Sequence, residues 1–172
     1  MITLGILLLR AVAGLTIAAH GAQKIFGWFG GPGMPGFIGM VQGLGIKPAR
    51  FWAYAVAVVE FLGGLLVALG LLTPIAAIAV FANMVVAIVL VHVAKGFFNQ
   101  SGGYEFPLLM AVVMLTLALT GPGAASLDGL IRMHLPQPLT LVASLAVFLG
   151  GAVAALESRR ISRGSRKQSQ AA

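Results

Sequence analysis

The stretch His20-Gly-Ala-Gln-Lys-Ile-Phe-Gly-Trp-Phe-Gly-Gly-Pro-Gly33 follows the first apolar run of the chain and ends it. It places an imidazole, a carboxamide and an ammonium group within five residues, and three aromatic rings and a Gly-Pro break follow. Nearly all of the surrounding residues are apolar. Polar groups this concentrated at a helix end indicate either an anchor at a membrane surface or a chemically active site.

The composition of the 172-residue chain is typical of a membrane protein. Hydrophobic residues make up 59% and charged residues 9%, whereas a soluble domain has about a quarter charged residues. The absence of cysteine excludes disulfides, thiol nucleophiles and Cys-ligated metal or iron–sulfur sites. Five of the eleven basic residues lie between 159 and 167, directly after an apolar run. This pattern indicates membrane topology, so we expect no nucleic-acid partner.

Five apolar segments predict an all-α integral membrane protein, with a four-helix transmembrane bundle and a fifth, C-terminal transmembrane helix. The predicted spans are 2–21, 51–72, 75–94, 104–120 and 139–156. Within the long first connection, segment 36–45 predicts an interfacial or re-entrant helix, because a span needs about 20 residues. We divide the chain into a four-helix membrane domain (1–128), a linker with the fifth helix (129–157) and a basic disordered cytoplasmic tail (158–172).

The distribution of basic residues predicts the orientation of the spans. If the tail is cytoplasmic, nine Lys and Arg residues lie on that side, one lies outside, and Arg10 lies within the bilayer. We therefore expect the N-terminus outside and the C-terminus in the cytoplasm. Most aromatic residues fall near the inner interface as well, which indicates either anchoring there or an aromatic pocket.

Two opposite charges are predicted at matching depths in the bilayer. Counted from Gly21 and Phe51 as the inner ends of their helices, Arg10 and Glu60 are both roughly 14–17 Å deep, at about 1.5 Å per residue. A lone charge there costs at least about 2.5–3.5 kcal/mol. We therefore expect an Arg10–Glu60 ion pair, with Asn83 completing the network at the same level. The pair could serve helix register alone, but intramembrane carboxylates favour a functional Glu60 that carries protons or contacts a ligand.

A second polar layer is predicted at the inner membrane face, where three antiparallel helices bring their ends together. We assign His20, His92, Glu105 and Glu60 as catalytic candidates. We assign Gln23, Lys24, Trp28 and Tyr104 as cofactor-binding candidates. No metal site is expected, because no two histidines have the i, i+4 spacing of metal ligands.

Two of these residues also fit simpler roles. His92 is nine residues from Asn83, about 180° around a regular helix, so both face one pocket only if the helix unwinds or is surrounded. His92 is equally typical of an interfacial imidazole that reaches toward water. Glu105, at a helix start, is typical of a residue that complements the positive end of the helix dipole.

The polar motifs of the chain form an ordered set. They are Leu8-Leu9-Arg10, His20-Gly-x-Gln-Lys24 with Phe-Gly-Trp-Phe-Gly-Gly-Pro-Gly, Glu60-x-x-Gly-Gly64 with Leu-Gly-Leu-Leu-Thr-Pro74, His92-x-x-x-Gly-Phe-Phe98 with Gly-Gly-Tyr-Glu105, and Gly-Pro-Gly-x-x-Ser-Leu-Asp128. As a set, over residues 4–128, they resemble the DoxX family of small bacterial membrane proteins.

The resemblance implies a four-helix bundle in the bacterial inner membrane. Some family members are subunits of thiosulfate–quinone oxidoreductases, and others are named as oxidoreductases linked to quinone, thiol or oxidative stress. The recurrent polar positions of the family correspond to Arg10, His20, Gln23, Lys24, Glu60, His92 and Glu105. This chain departs from the family by its fifth helix and basic tail, so we expect the site within the first four helices.

The function we favour is a membrane subunit of an oxidoreductase or redox-detoxification complex that interacts with quinone at the inner face. A quinone ring could stack on the inner aromatic residues while His20 or His92 hydrogen-bonds a carbonyl oxygen. Glu105 or Glu60 could then exchange the accompanying protons. Because no residue here stores electrons, the chain needs a bound cofactor or a soluble or membrane redox partner. A haem held by His20 and His92 is geometrically conceivable but disfavoured.

Two alternatives stay open at this stage, as does the question of whether the chain is an enzyme. One is a scaffold without catalytic activity that docks a soluble redox enzyme through the aromatic inner face and basic tail. The other is a small-molecule or proton-coupled transporter with Arg10 and Glu60 as its midplane site. The Gly- and Ala-rich helix faces would in addition permit a homo-oligomer.

Overall fold

A computed structural model describes residues 1–133 and 135–171, with side chains described up to residue 159. Every regular element in this part of the chain is helical. The helices are α1 (Ile2–Phe26), α2 (Gly33–Gly43), α3 (Ala49–Leu69), α4 (Thr73–Lys95), α5 (Glu105–Thr120), α6 (Leu127–Leu130) and α7 (Leu139–Ala171), with short 3-10 turns at Trp28–Gly30 and Asn99–Ser101.

Four of the described helices are long and apolar enough to cross a membrane: α1, α3, α4 and the Leu139–Arg159 part of α7. Helix α5 is apolar but has 16 residues, fewer than the roughly 20 that a span needs. It packs along α4, which also contacts α7 on another side. These features confirm an all-α integral membrane protein. Helix α2 lies where the sequence predicts an additional short helix in the first connection.

Helices α1 and α3 approach each other closely because small residues line their contact. A Cβ atom on Gly14 would lie 2.6 Å from the carbonyl oxygen of Gly64, and one on Gly64 would lie 2.5 Å from the nitrogen of Ala18. Gly21 meets the backbone of Phe61 in the same way. In this antiparallel register Ala18 lies opposite Gly64 and Gly21 opposite Phe61, so backbone meets backbone along the interface.

Two apolar clusters hold the helices together. The larger lies between α1, α3, α4 and α5, and its fully buried members include Ile17, Val67, Ile78, Val80, Met114 and Leu117. The smaller joins α2 to the first turns of α3 through Met34, Phe37, Val41, Ile46, Ala53 and Ala57. In the α1–α3 register, those first turns project beyond the end of α1, and α2 covers them.

Both α3 and α4 contain a π-helical turn, at Val59–Gly63 and Ile88–His92 respectively. A π-helical turn widens the helix locally and changes the direction of the side chains that follow it; such turns are common at functional sites. The turn in α4 follows Asn83 and ends at His92. The regular-helix geometry that would place these two residues on opposite faces therefore does not apply.

Helix α7 continues to Ala171, beyond the predicted end of the last span at residue 156. Its backbone is thus helical through 158–171, which the sequence analysis assigns to a disordered tail. The physical reason is local: the segment contains four Arg, one Lys and two Gln, which favour a helix, no proline, and one glycine, Gly164. The division into three domains remains a prediction.

Candidate functional site

A buried polar triad of Lys24, Glu60 and Asn83 joins three helices. Glu60 lies in the π-helical turn of α3 and is 3% exposed. Lys24 of α1 forms an ion pair with its Oε2 atom, and the Nδ2 group of Asn83 on α4 donates to its Oε1 atom at 3.0 Å. Both carboxylate oxygens of Glu60 are therefore bound, as a buried charge requires.

Lys24 extends from this triad toward the end of the bundle. Its side chain is 21% exposed, and its ammonium nitrogen lies 5.1 Å from the ring centroid of Phe37 on α2. This distance is within the range of a cation–π contact. Lys24 thus connects a carboxylate buried within the bundle with the surface near α2, an arrangement that can carry charge or protons between the two.

The predicted ion pair between Arg10 and Glu60 is wrong, because Glu60 pairs with Lys24. The reason is the register of α1 and α3, which places Glu60 opposite Ala22. Arg10 lies about twelve residues further along α1, or about 18 Å away along the axis. Equal depth followed only from the assumption that both helices end at the same level. The predicted contact of Asn83 with Glu60 is confirmed.

Arg10 lies instead at the other end of the bundle, where the chain turns from α3 into α4. Its Nη2 group donates to the carbonyl oxygen of Ala125, in the connection between α5 and α6. Gly70 packs directly against the guanidinium, so closely that any side chain at position 70 would collide with Nη1. We call this region, with Arg10, Gly70 and the loop 124–128, the Arg10 end of the bundle.

Asp128 is a structural residue of the Arg10 end to which the sequence analysis assigns no role. It is 4% exposed, and its Oδ1 and Oδ2 atoms accept hydrogen bonds from the backbone nitrogens of Leu72 at 2.9 Å and Thr73 at 3.2 Å. Its carboxylate therefore caps the first turn of α4 from 55 residues away in sequence. The sequence signal is its position in the Ser-Leu-Asp motif, but nothing local tells which helix that loop meets.

The opposite end of the bundle holds His20, His92 and Glu105, each with a different partner. The ring of His20 lies 5.1 Å from that of Phe106, between centroids. His92 Nδ1 lies 2.7 Å from the carbonyl oxygen of Gly102, and Glu105 Oε2 accepts from the backbone nitrogen of Asn99 at 2.9 Å. The last two contacts hold the loop between α4 and α5. The catalytic roles of all three remain predictions.

The cofactor-binding candidates near this end also make contacts within the chain. Gln23 Nε2 donates to the carbonyl oxygen of Phe29 at 3.4 Å. The ring of Trp28 lies 4.8 Å from that of Phe26, and Tyr104 meets Phe97 edge-on at 5.5 Å. Phe26, Trp28 and Phe29 are each at least half exposed. They form an aromatic surface, and their part in binding a cofactor remains a prediction.

A cleft of about 200 Å³ lies between α3, α4 and α7, next to Asn83 of the triad. Its walls are apolar and include Trp52, Val56, Val59, Val86, Phe148 and Ala152, and Asn83 is the polar residue among them. Because the Asn83 amide also binds Glu60, this cleft is one residue away from the buried ion pair. Part of its wall belongs to α7, so the cleft is not confined to the first four helices.

The cleft offers an apolar binding space. Asn83, the polar residue of its wall, is hydrogen-bonded to the carboxylate of Glu60. Within the described residues, no group of three or more His, Asp and Glu side chains is arranged to hold a metal ion. The chemistry this arrangement supports is binding of a mainly apolar ligand with a polar group hydrogen-bonded to Asn83, and exchange of a proton through Glu60 and Lys24.

Comparison with known proteins gives consistent matches. A family model described as DoxX matches residues 5–93. The chain is 34% identical over 125 residues to a Bacillus subtilis (strain 168) protein named "Putative oxidoreductase CatD", covering 73% of this chain and 85% of that protein. It is 34% identical over 133 residues to "Uncharacterized membrane protein Rv3486" of Mycobacterium tuberculosis, covering 72% and 78%.

A third relative is "Inner membrane protein YphA" of Escherichia coli (strain K12). It is 33% identical over 126 residues, covering 66% of this chain and 87% of that protein. No solved structure matches. The family model includes α1 to α4 up to residue 93, and with them the residues of the buried triad.

Proposed function

We propose that this chain, which belongs to the DoxX family of membrane proteins, is the membrane subunit of an oxidoreductase and binds a quinone in the cleft beside Asn83. The observation that carries the proposal is the hydrogen bond between Asn83, the polar wall residue of an apolar cleft, and the buried Glu60–Lys24 pair. The name of the Bacillus subtilis relative, an oxidoreductase, is in accord with this class of activity.

The apolar walls of the cleft and its one polar residue, Asn83, suit a quinone head. A quinone is an apolar ring with oxygens at opposite edges, and ligand sites are typically apolar with a few placed polar groups. The indole of Trp52 offers a face for stacking. The amide of Asn83 offers a hydrogen bond to one oxygen. The cleft lies along transmembrane helices, so a lipid-soluble ligand can reach it from the bilayer.

The buried ion pair supplies a route for protons. Reduction of a quinone to a quinol adds two electrons and two protons to its oxygens. The side chain of Asn83 lies between Glu60 and the cleft. Lys24 connects Glu60 with the surface near α2. A proton taken up at that surface can therefore pass to Glu60 and then toward the cleft. Glu60 lies within the π-helical turn at Val59–Gly63.

The electrons have to come from a partner. The side chains of this chain include no cysteine and no other group that stores electrons. We propose a redox protein, bound at the exposed aromatic surface of Phe26, Trp28 and Phe29. We propose that this end of the bundle faces the cytoplasm of a bacterium, with the N-terminus outside the inner membrane, because the basic residues near it favour that orientation. Self-association through small-residue faces remains a further prediction.

The two earlier alternatives differ from this proposal in testable ways. The scaffold hypothesis predicts the same redox partner without a bound quinone. The transporter hypothesis rested on a midplane pair of Arg10 and Glu60, and the observed pairing of Glu60 with Lys24 removes that basis. Measurement of quinone binding to the purified chain therefore separates the proposal from the scaffold.

The test uses the fluorescence of Trp52 in full-length protein reconstituted into nanodiscs. In a Trp28→Phe background, decylubiquinone should quench the remaining tryptophan in a saturable manner. Asn83→Leu keeps a side chain of similar size but removes the amide, and should weaken quinone binding by about tenfold, the effect of one good hydrogen bond. Asn99→Leu, in the loop before α5, is the matched control.

The outcome that contradicts the proposal is specific. If decylubiquinone quenches Trp52 equally in the wild-type, Asn83→Leu and Asn99→Leu proteins, the quinone is dissolved in the lipid and not bound in the cleft. If Trp28 is quenched instead in a Trp52→Phe background, the quinone binds at the aromatic surface.

A further inference from the structure

Arg10 is a buried cation whose hydrogen-bonding capacity is largely unused. The residue is 2% exposed, and among the described residues its Nη2 group has one partner, the carbonyl oxygen of Ala125. Both Nε and Nη1 are buried without a hydrogen-bond partner in the part of the chain that the structure describes. A guanidinium has five N–H donors, so most of these donors have no partner among the described residues.

The acidic residue nearest to this position does not neutralise it directly. The backbone nitrogen of Asp128 donates to the carbonyl oxygen of Gly70, which packs against Arg10, but both carboxylate oxygens of Asp128 accept hydrogen bonds from the first turn of α4. Within residues 1–133 and 135–159, no carboxylate oxygen lies at ion-pair distance from the guanidinium. Arginine stays protonated at any ordinary pH, and a buried charge without a paired counter-ion is strongly unfavourable.

An open groove of about 520 Å³ lies at the Arg10 end of the bundle. Arg10 is one of its lining residues, with Leu7, Ala125, Ser126 and Leu130 among the others. The loop that carries Ala125 therefore both lines the groove and holds the guanidinium through one hydrogen bond. On another side the guanidinium packs against Gly70 (φ +70°), where a Cβ atom would collide with Nη1. The charged group is thus fixed at the edge of a space that opens outward.

We propose that Arg10 forms an oxyanion-binding site at the Arg10 end of the bundle, in which a phosphate-like group occupies the groove and pairs with the guanidinium. The planar fork of arginine matches two oxygens of such a group. The same chemistry has two sources, the headgroup of a membrane phospholipid and a free inorganic oxyanion. This site is separate from the quinone cleft, which lies near Glu60 about 18 Å further along the bundle axis.

The experiment measures binding of defined anions to delipidated full-length protein in a neutral detergent. Inorganic phosphate is titrated by calorimetry, with chloride at equal ionic strength as the reference, and thermal unfolding is followed in parallel. In a second arm, native mass spectrometry detects retention of phosphatidylglycerol against a diacylglycerol glycolipid that lacks phosphate. Saturable binding of phosphate identifies a free oxyanion, and selective retention of phosphatidylglycerol alone identifies a lipid headgroup.

The variants attribute the binding to the guanidinium. Arg10→Gln should weaken binding of the anion by about tenfold or more, the effect of losing a charge-assisted pair. Arg10→Lys keeps the charge without the fork and should be intermediate. Arg132→Gln changes an exposed arginine in the connection between α6 and α7, and this variant should bind as the wild type does. Quinone quenching of Trp52 should be unchanged in all three.

Two results would overturn the proposal. One is a wild-type protein that does not bind phosphate, is not stabilised by phosphate, and does not retain phosphatidylglycerol in preference to the glycolipid. The other is equal weakening by Arg10→Gln and Arg132→Gln, which would indicate nonspecific attraction to basic charge. If Arg10→Gln does not fold, Arg10→Lys and the thermal stabilisation of the wild type still decide between these results.

Discussion

The ammonium group of Lys24, near the end of α1, is paired with the carboxylate of Glu60 in the π-helical turn of α3. The two residues are 36 positions apart, and the antiparallel register of their helices brings them to one level. Asn83 binds the second oxygen of the same carboxylate. The chain thus neutralises its most buried carboxylate with a lysine that remains partly exposed at its other side.

The first prediction concerns the energy of this pair. Removing Lys24 with Lys24→Met leaves a buried carboxylate and should destabilise the protein by about 2–4 kcal/mol, toward the lower value because Lys24 is partly exposed. Glu60→Gln keeps an acceptor for Asn83 but removes the charge. The double variant should therefore be more stable than the sum of the single effects implies, by about 1–3 kcal/mol.

Unfolding in mixed detergent and SDS micelles measures this coupling. Additive effects of Lys24→Met and Glu60→Gln would show that the pair contributes no interaction energy. Arg50→Met, at an exposed basic position near the start of α3, controls for the loss of a positive charge on the same end of the bundle and should leave stability within about 0.5 kcal/mol.

The second prediction concerns the close contact of α1 and α3. Gly14→Ala places a Cβ atom 2.6 Å from the Gly64 carbonyl oxygen, so the helices must separate, at a cost of about 1–3 kcal/mol. Gly5→Ala is the matched control, because it lies on the same helix with nothing within 4 Å of the new Cβ. It should be neutral or stabilise by up to about 1 kcal/mol. The same SDS titration compares the two, and equal effects would contradict the observed register.

The third prediction concerns Asp128 as the cap of α4. Asp128→Ala leaves the backbone nitrogens of Leu72 and Thr73 without their acceptor, and should lower the free energy of unfolding by about 1–2 kcal/mol or somewhat more. Asp128→Asn retains one acceptor oxygen but loses the charge at the helix end, and should be intermediate. Hydrogen exchange of the first turn of α4 should quicken in the same order. Unchanged exchange in Asp128→Ala would argue against the cap.

The fourth prediction separates His92 from the proposed quinone cleft. His92→Ala removes the contact with the Gly102 carbonyl oxygen, so the loop between α4 and α5 should be cut faster by a protease. Binding of decylubiquinone next to Asn83 should stay within about twofold of the wild type, since His92 does not line the cleft. Loss of quinone binding in a His20→Ala, His92→Ala double variant would instead favour the inner-face site that the sequence predicts.

The class of the protein and the existence of its helices follow from local sequence. Runs of about 20 apolar residues identify most of the spans without any partner, because hydrocarbon solvates only helices whose backbone is paired internally. The short α2 helix and the Leu72-Thr73-Pro74 start of α4 are likewise local features. The polar positions selected by the sequence analysis include all three members of the buried triad, Lys24, Glu60 and Asn83.

The pairing of those positions depends on the tertiary structure. Arg10 and Glu60 have opposite charges and similar counted depths, yet close packing at Gly14, Gly21 and Gly64 sets a register that separates them. The length of an apolar segment limits where its helix can begin and end. Contact between two helices determines which of their residues lie opposite each other. Composition and periodicity therefore determined a helical membrane protein with a few buried charges. The interhelical register decided that Lys24 neutralises Glu60, that Asp128 caps α4, and that Arg10 is left beside an open groove.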